Sequence, residues 1–134
     1  MFIADYTNQE EWFYGQLTKN FHAKEFYCPC CNLAIMDKDF MEQLQKLRQI
    51  CGFPFIINSG YRCETYNAQI TKGKKSVGQH ITGEAADISL LDRNRRFALL
   101  RNIFNMGYFK DVAISRTFIH IAKGNKNFGV GVYK

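Results

Sequence analysis

Three residues of metal-ligand type place the strongest demand on how this chain can fold. In the stretch GQHITGEAAD, Gly78 to Asp87, a histidine (His80) and an aspartate stand seven positions apart, with Gly83 and Ala85 between them. A second histidine, His120, lies well downstream in the run FIHI. Two imidazoles and one carboxylate form a donor set that leaves a zinc ion an open position for water, an arrangement of catalytic rather than structural type. A fold that uses the set must bring residues 80, 87 and 120 to one point. Gly83 lets the backbone turn tightly between the first two ligands.

The periodicities around these residues describe alternating helices and short strands. Phe40, Met41, Leu44, Leu47 and Ile50 recur at helical spacing, so a helix is expected over 37–51, with Asp37 capping its start, Gly52 ending it and the apolar stripe in the core. Pro54 opens FIIN, read as a buried strand leading into the turn Ser59-Gly60-Tyr61-Arg62. A short helix over 63–71 and the glycine-punctuated loop KGKKSVG then deliver His80. A strand over 85–89 carries Asp87, and Asp92 caps a helix to Met106 whose apolar face is read as Phe97, Leu100, Ile103 and Phe104, with Gly107 as its stop. DVAIS (111–115) and TFIHIA (117–122) read as a hairpin. Alternation puts Phe118, His120 and Ala122 on one face of the second strand and Ile119 and Ile121 on the other. A further helix is expected near Gln9 to Leu17, and an edge strand in the tail from Lys123 to Lys134.

With 134 residues, 46% of them hydrophobic, the chain can bury a core without covalent staples, and one domain over residues 1–134 is expected. No stretch approaches the roughly 18 apolar residues that span a bilayer. The start, MFIADYTNQEEW, has neither a basic region nor an apolar signal core, so a soluble product made in the cytoplasm is expected. The net charge of +6 favours polyanionic partners such as nucleic acid or acidic cell-wall polymers, while Lys72, Lys74 and Lys75 read as a solvated loop. The five cysteines, Cys28, Cys30, Cys31, Cys51 and Cys63, cannot all pair within one chain, and reduced thiols fit better. Cys28-Pro29-Cys30-Cys31 is similar to half of a zinc ribbon. Because Cys51 and Cys63 stand apart in sequence, these thiols are read as small buried hydrophobes at a strand edge or turn.

The ordered series SGYRCETYN (59–67), GQHITGEAAD (78–87) and FIHI (118–121) resembles the M15 family of zinc peptidases, the D-alanyl-D-alanine carboxypeptidase group that shares its fold with the Hedgehog signalling domain. EFYCPCC and the helix after Asp37 resemble the amino-terminal part of the small phage and bacterial branch of that family, so the likeness covers about residues 15–122. The resemblance implies an α+β fold in which an antiparallel sheet is flanked by helices. It implies Zn2+ held by His80, Asp87 and His120, with Arg62 binding a substrate carboxylate or carbonyl beside the metal. It also implies peptidoglycan stem peptides as substrate, cut by carboxypeptidase or endopeptidase action in the manner of an endolysin carried or released by a phage. An arginine fork suits a free D-amino acid terminus or a D-glutamate carboxylate. From the residues alone, Arg62 can equally pair with Glu64 or Asp37.

The chain departs from the family pattern at the position of the general base. Many relatives carry an acidic residue three positions before the last histidine, where this chain has Thr117; others read His-x-Asp, where it has Ala122; the usual serine two residues before the first histidine is Gly78. Asp111, on the first strand of the expected hairpin, is the preferred carboxylate to accept the proton of the attacking water, ahead of Glu84 and Glu64. Two other classes remain compatible with the sequence: a zinc domain that binds cell wall or a protein without cleaving, and a basic nucleic-acid-binding module built on the CPCC segment.

Overall fold

A computed structural model describes residues 2–5, 15–71, 78–124 and 129–132, the first four as backbone. The elements run β1 (Phe2–Asp5), β2 (Leu33–Met36), α1 (Lys38–Cys51), β3 (Ile56–Ser59), α2 (Glu64–Ile70), β4 (Ala85–Ser89), α3 (Arg93–Met106), β5 (Asp111–Ile114), β6 (Phe118–Ala122) and β7 (Gly129–Val132). The α+β class follows from this order: strands β3 to β7 form one sheet in the order β3-β4-β6-β5-β7, and β1 pairs with β2 in a separate ribbon. The larger sheet is mixed rather than wholly antiparallel, because β7 runs parallel to β5. A chain entering β7 directly after β6 lies beside β5, two strands along, and therefore in the same direction.

Side-chain capping sets the helix starts. The Asp37 carboxylate accepts from the Phe40 N–H at 3.0 Å, and Gly52 closes α1 in the left-handed conformation at φ 75°. Asp92 accepts from the Arg95 N–H at 3.0 Å, and Gly107 closes α3 at φ 71°. Cys63 caps α2, its sulfur accepting from the Tyr66 N–H.

Buried side chains of α1 (Phe40, Met41, Leu44, Leu47) and α3 (Leu99, Ile103) join Ile88, Val112, Ile119 and Ile121 of the sheet in one apolar cluster. Each such side chain, fully removed from water, stabilises the fold by about 1.5–3 kcal/mol. Register fixes which face this is: Ala86 lies opposite Ile121, Ile88 opposite Ile119, and Val112 opposite Ile121. The helices thus cover one face of the sheet, and Asp87 and His120, opposite each other on β4 and β6, point to the other.

Several expectations are corrected. Ile50, 58% exposed, falls outside the core stripe of α1. On α3 the buried positions are Leu99, Asn102 and Ile103, whereas Phe97 and Phe104 are exposed and Arg101 lies over the Phe97 ring at 5.8 Å. The contact line of α3 is therefore rotated from the face that its largest side chains suggested. The strand expected at FIIN is β3, one residue along at Ile56–Ser59, and among the described residues it is an edge strand paired to β4, with Ile56 68% exposed. Gly15–Leu17 is not helical, since Gln16 bridges to His22; the rest of the expected first helix, and Lys72, Lys74 and Lys75, lie outside the described residues. The hairpin, the alternation along β6 and a tail strand are all observed.

Gly83 has φ +75°, and a Cβ there would strike the carbonyl oxygen of Ile35 and come within 2.7 Å of the Met36 Cα. At Gly107, also left-handed, a Cβ meets nothing within 4 Å. Gly107→Ala should cost about 1 kcal/mol, whereas Gly83→Ala should cost several-fold more, because backbone from β2 and the start of α1 has to move. Chemical denaturation of the two variants side by side measures the difference; equal losses would contradict it.

Candidate metal centre

The site is built on the sheet face away from the helices. The central row runs Ser59, Asp87, His120 and Ala113 across β3, β4, β6 and β5. Directly opposed residues share a face. A register shift between Ile57 and Ser59 sets Ser59 opposite Asp87. Ala85 and Ala122, also opposed and fully buried, give this face a floor of small side chains beside the ligands.

His80 reaches the row from outside the sheet, on the segment between α2 and β4. Its peptide carbonyl accepts from the Arg62 N–H at 3.1 Å, and its Nδ1 lies 2.6 Å from the carbonyl oxygen of Gly60. That ring contact lets Nδ1 donate its proton and turns Nε2 toward Asp87 and His120, the carbonyl support common to metal-bound imidazoles. Gly83, four residues before Asp87, holds the return into β4 by giving its carbonyl to the Asp37 N–H at 2.9 Å.

Three atoms converge. His80 Nε2 lies 3.3 Å from His120 Nδ1 and 3.4 Å from Asp87 Oδ1, and His120 Nδ1 lies 2.8 Å from the same oxygen. Ligands about 2.0–2.1 Å from a tetrahedral zinc stand about 3.3 Å apart, so the two sides of the triangle that meet at His80 already have that length. The third, at 2.8 Å, is a direct imidazole–carboxylate contact. The donor set and its spacing fit zinc.

Arg62 completes the cluster. One Nη2–H donates to Asp87 Oδ2 at 3.1 Å and its Nε–H donates to Ser59 Oγ at 3.0 Å. Its partner is thus neither Glu64 nor Asp37 but the oxygen of Asp87 left over from the two histidines. Burial raises the Asp87 pKa, but hydrogen bonds from His120 and His80 and their charge outweigh it, holding the carboxylate well below its usual range. Asp87 therefore offers the anion that a divalent cation needs.

Asp111 begins β5 opposite Ala122, on the face that carries His120 and half-buried. Glu84 is engaged with Lys123 Nζ at 3.5 Å, and Thr117 is exposed at the entry to β6, with its carbonyl accepting from the Leu90 N–H. A second group escaped the sequence reading. The thiols of Cys28, Cys31 and Cys63 lie within 4.8 Å of one another, so Cys63 is isolated along the chain but not in space. Cys51 stands apart, its sulfur accepting from the Asn102 amide.

A profile of the peptidase M15 family matches residues 18–122. The chain belongs to the M15 peptidase family. A search of curated proteins finds no match. Family membership supports a hydrolase of the metallopeptidase kind, and among the described residues His80, Asp87 and His120 form a cluster that could hold a metal. Among the described residues no helix of this M15 peptidase is long and apolar enough to cross a membrane.

Replacing a ligand should act on metal and stability separately. His80→Ala or Asp87→Asn should weaken zinc binding by more than about 100-fold, and Arg62→Met, one step removed, by about 10–100-fold, as read by competition with a chromophoric chelator. In the metal-free chain the folded pKa of Asp87 lies below its ordinary 3.8. Its stabilisation is thus present above that value and lost as pH falls through the folded one. The stability gap between wild type and Asp87→Asn in urea should be widest near neutrality and shrink on acidification below about pH 4.

Proposed function

We propose that the protein is a zinc-dependent hydrolase of peptide bonds in peptidoglycan stem peptides, acting as a D,D-carboxypeptidase or an endopeptidase. The observation that carries this reading is the convergence of His80, Asp87 and His120 with the guanidinium of Arg62, in a member of a peptidase family. Zinc held by the two imidazoles and Asp87 supplies a Lewis acid for the scissile carbonyl and lowers the pKa of water to about 7.

The other steps belong to the chain's own residues. Arg62 has five N–H donors, of which those to Ser59 and Asp87 use two. The remaining three can receive a substrate carboxylate or the carbonyl under attack. Its side chain is only 14% exposed, so it meets that group with little water between. A stem peptide provides such an anion at a terminal D-alanine or at D-glutamate. His80 is held by the Gly60 carbonyl, and Asp87, with Oδ2 taken by Arg62, would offer Oδ1 to the metal.

Asp111 is proposed as the base that accepts the proton of the attacking water and returns it to the leaving amine. It lies on the face of His120, two positions along the hairpin ladder, about 7 Å of strand length, within reach of a carboxylate side chain and a water. Glu84 is tied to Lys123, and Glu64 opens α2 at the surface, so both rank behind it. The basic charge of the chain suits an acidic wall polymer. A place of action at the wall, reached by lysis or aboard a phage particle, completes the reading.

Purified peptidoglycan incubated with zinc-loaded protein should release stem-peptide fragments, or free D-alanine, detectable by mass spectrometry. Arg62→Lys should lower kcat/KM by about 10²–10³-fold, since an ammonium replaces a fork. Asp111→Asn should lower kcat by about 10²–10⁴-fold with zinc content unchanged. Stoichiometric zinc without cleavage of any stem peptide would favour a wall-binding or partner-binding role instead. Full activity of Asp111→Asn would remove that residue as the base.

A further inference from the structure

A cluster of thiols adjoins the segment that carries Arg62, since Cys63 is its direct neighbour in the chain. We propose that Cys28, Cys31 and Cys63, with Cys30 as the fourth thiolate, bind a structural zinc ion that fastens the 28–32 turn to the segment carrying Arg62. The three sulfurs lie mutually within 4.8 Å, and Cys30 stands exposed in the same turn, where it can supply the fourth thiolate. Cys28 Sγ and Cys63 Sγ are 3.7 Å apart. A tetrahedral zinc with sulfur at about 2.3 Å sets its ligands about 3.8 Å apart, whereas a disulfide needs about 2.05 Å. The observed pair has the spacing of two ligands of one ion.

The backbone around the sulfurs is arranged for thiolates. The N–H of Cys63 donates to the Cys28 sulfur at 3.5 Å. The Tyr66 N–H, in the first turn of α2, donates to Cys63 Sγ at 3.4 Å. Such N–H donors offset the negative charge that four thiolates place around a dication. The turn itself closes through Asn32, left-handed at φ 60°, whose N–H bonds to the Cys28 carbonyl at 2.8 Å. Buried thiols acting as hydrophobes require neither sulfur-to-sulfur convergence nor amides aimed at sulfur. Only Cys28 is fully buried; Cys31 and Cys63 are half-buried and Cys30 is exposed, which leaves the ion a path in. Binding displaces the thiol protons to solvent and changes no oxidation state.

The site lies where the segment carrying Arg62 packs on residues near Phe26. Cys63 follows Arg62 directly, Tyr61 N–H donates to the Phe26 carbonyl at 2.9 Å, and a Cβ at Gly60 would lie 2.7 Å from the Phe26 Cα. Residues 26–32 and 60–63 are therefore pressed together, and a metal across the cysteines fixes their spacing.

The test uses the full chain purified under reducing conditions. Wild type should carry two zinc ions, and His80→Ala/His120→Ala should keep one. Loaded with cobalt, that double variant should still show the sulfur-to-metal charge-transfer band in the near ultraviolet, whereas Cys28→Ser/Cys31→Ser should lose the band and retain one metal. In wild type, titration with a mercurial should release one equivalent of zinc as the cysteine thiols react, a readout that needs no variant to fold. One zinc per wild-type chain with no charge-transfer band, or a chain two mass units light from a Cys28–Cys63 disulfide, would overturn the proposal. Failure of peptidoglycan cleavage with two zinc ions bound would leave this site standing and count only against the hydrolase reading.

Discussion

The pairing of Asp87 with His120 across β4 and β6 is the constraint on which the remainder of the site depends. These two strands lie near the centre of the sheet, and their register puts an acid and an imidazole in direct opposition on one face while Ile88, Ile119, Ala86 and Ile121 meet on the other. A slip of either strand by one residue would drive its own polar side chain, Asp87 or His120, into the apolar cluster beneath the helices and bring its isoleucine out of it. Core packing and ligand placement are therefore one requirement, met by the same rungs of the ladder. The attraction of Asp87 for His120 and Arg62 then adds a polar lock on the outer face.

Much of this was legible because it is periodic or capped. The alternation FIHIA fixes which way His120 points, and aspartate before and glycine after an apolar run mark both long helices. The family resemblance over the three motifs supplied the arrangement of His80 and Arg62, which periodicity alone does not place, and the match over residues 18–122 agrees with it. What the sequence hid depends on contacts between distant segments. The parallel placement of β7 is a matter of topology, not composition. The exposure of Phe97 and Phe104 shows that a helix buries the side it turns to its neighbours, even when larger apolar side chains lie elsewhere. Asp87 as the partner of Arg62 could not be inferred from spacing, since Glu64 and Asp37 were nearer along the chain or as plausible.

The cysteines make the same point. Reading spacing along the chain separates Cys63 from the CPCC segment by more than thirty positions. The fold removes that distance because Gly60, lacking a side chain, lets the strand-to-helix turn lie directly on Phe26, two residues before Cys28. A glycine chosen for close backbone approach is thus what creates a cluster of thiols that neither segment suggests alone.

Arg62 and His80 are joined twice through backbone, by the Arg62 amide on the His80 carbonyl and by the His80 ring on the Gly60 carbonyl. Neither bond involves the sheet. The 60–62 turn and His80 are therefore tied to each other directly, so a displacement of that turn would carry the guanidinium and the first imidazole together.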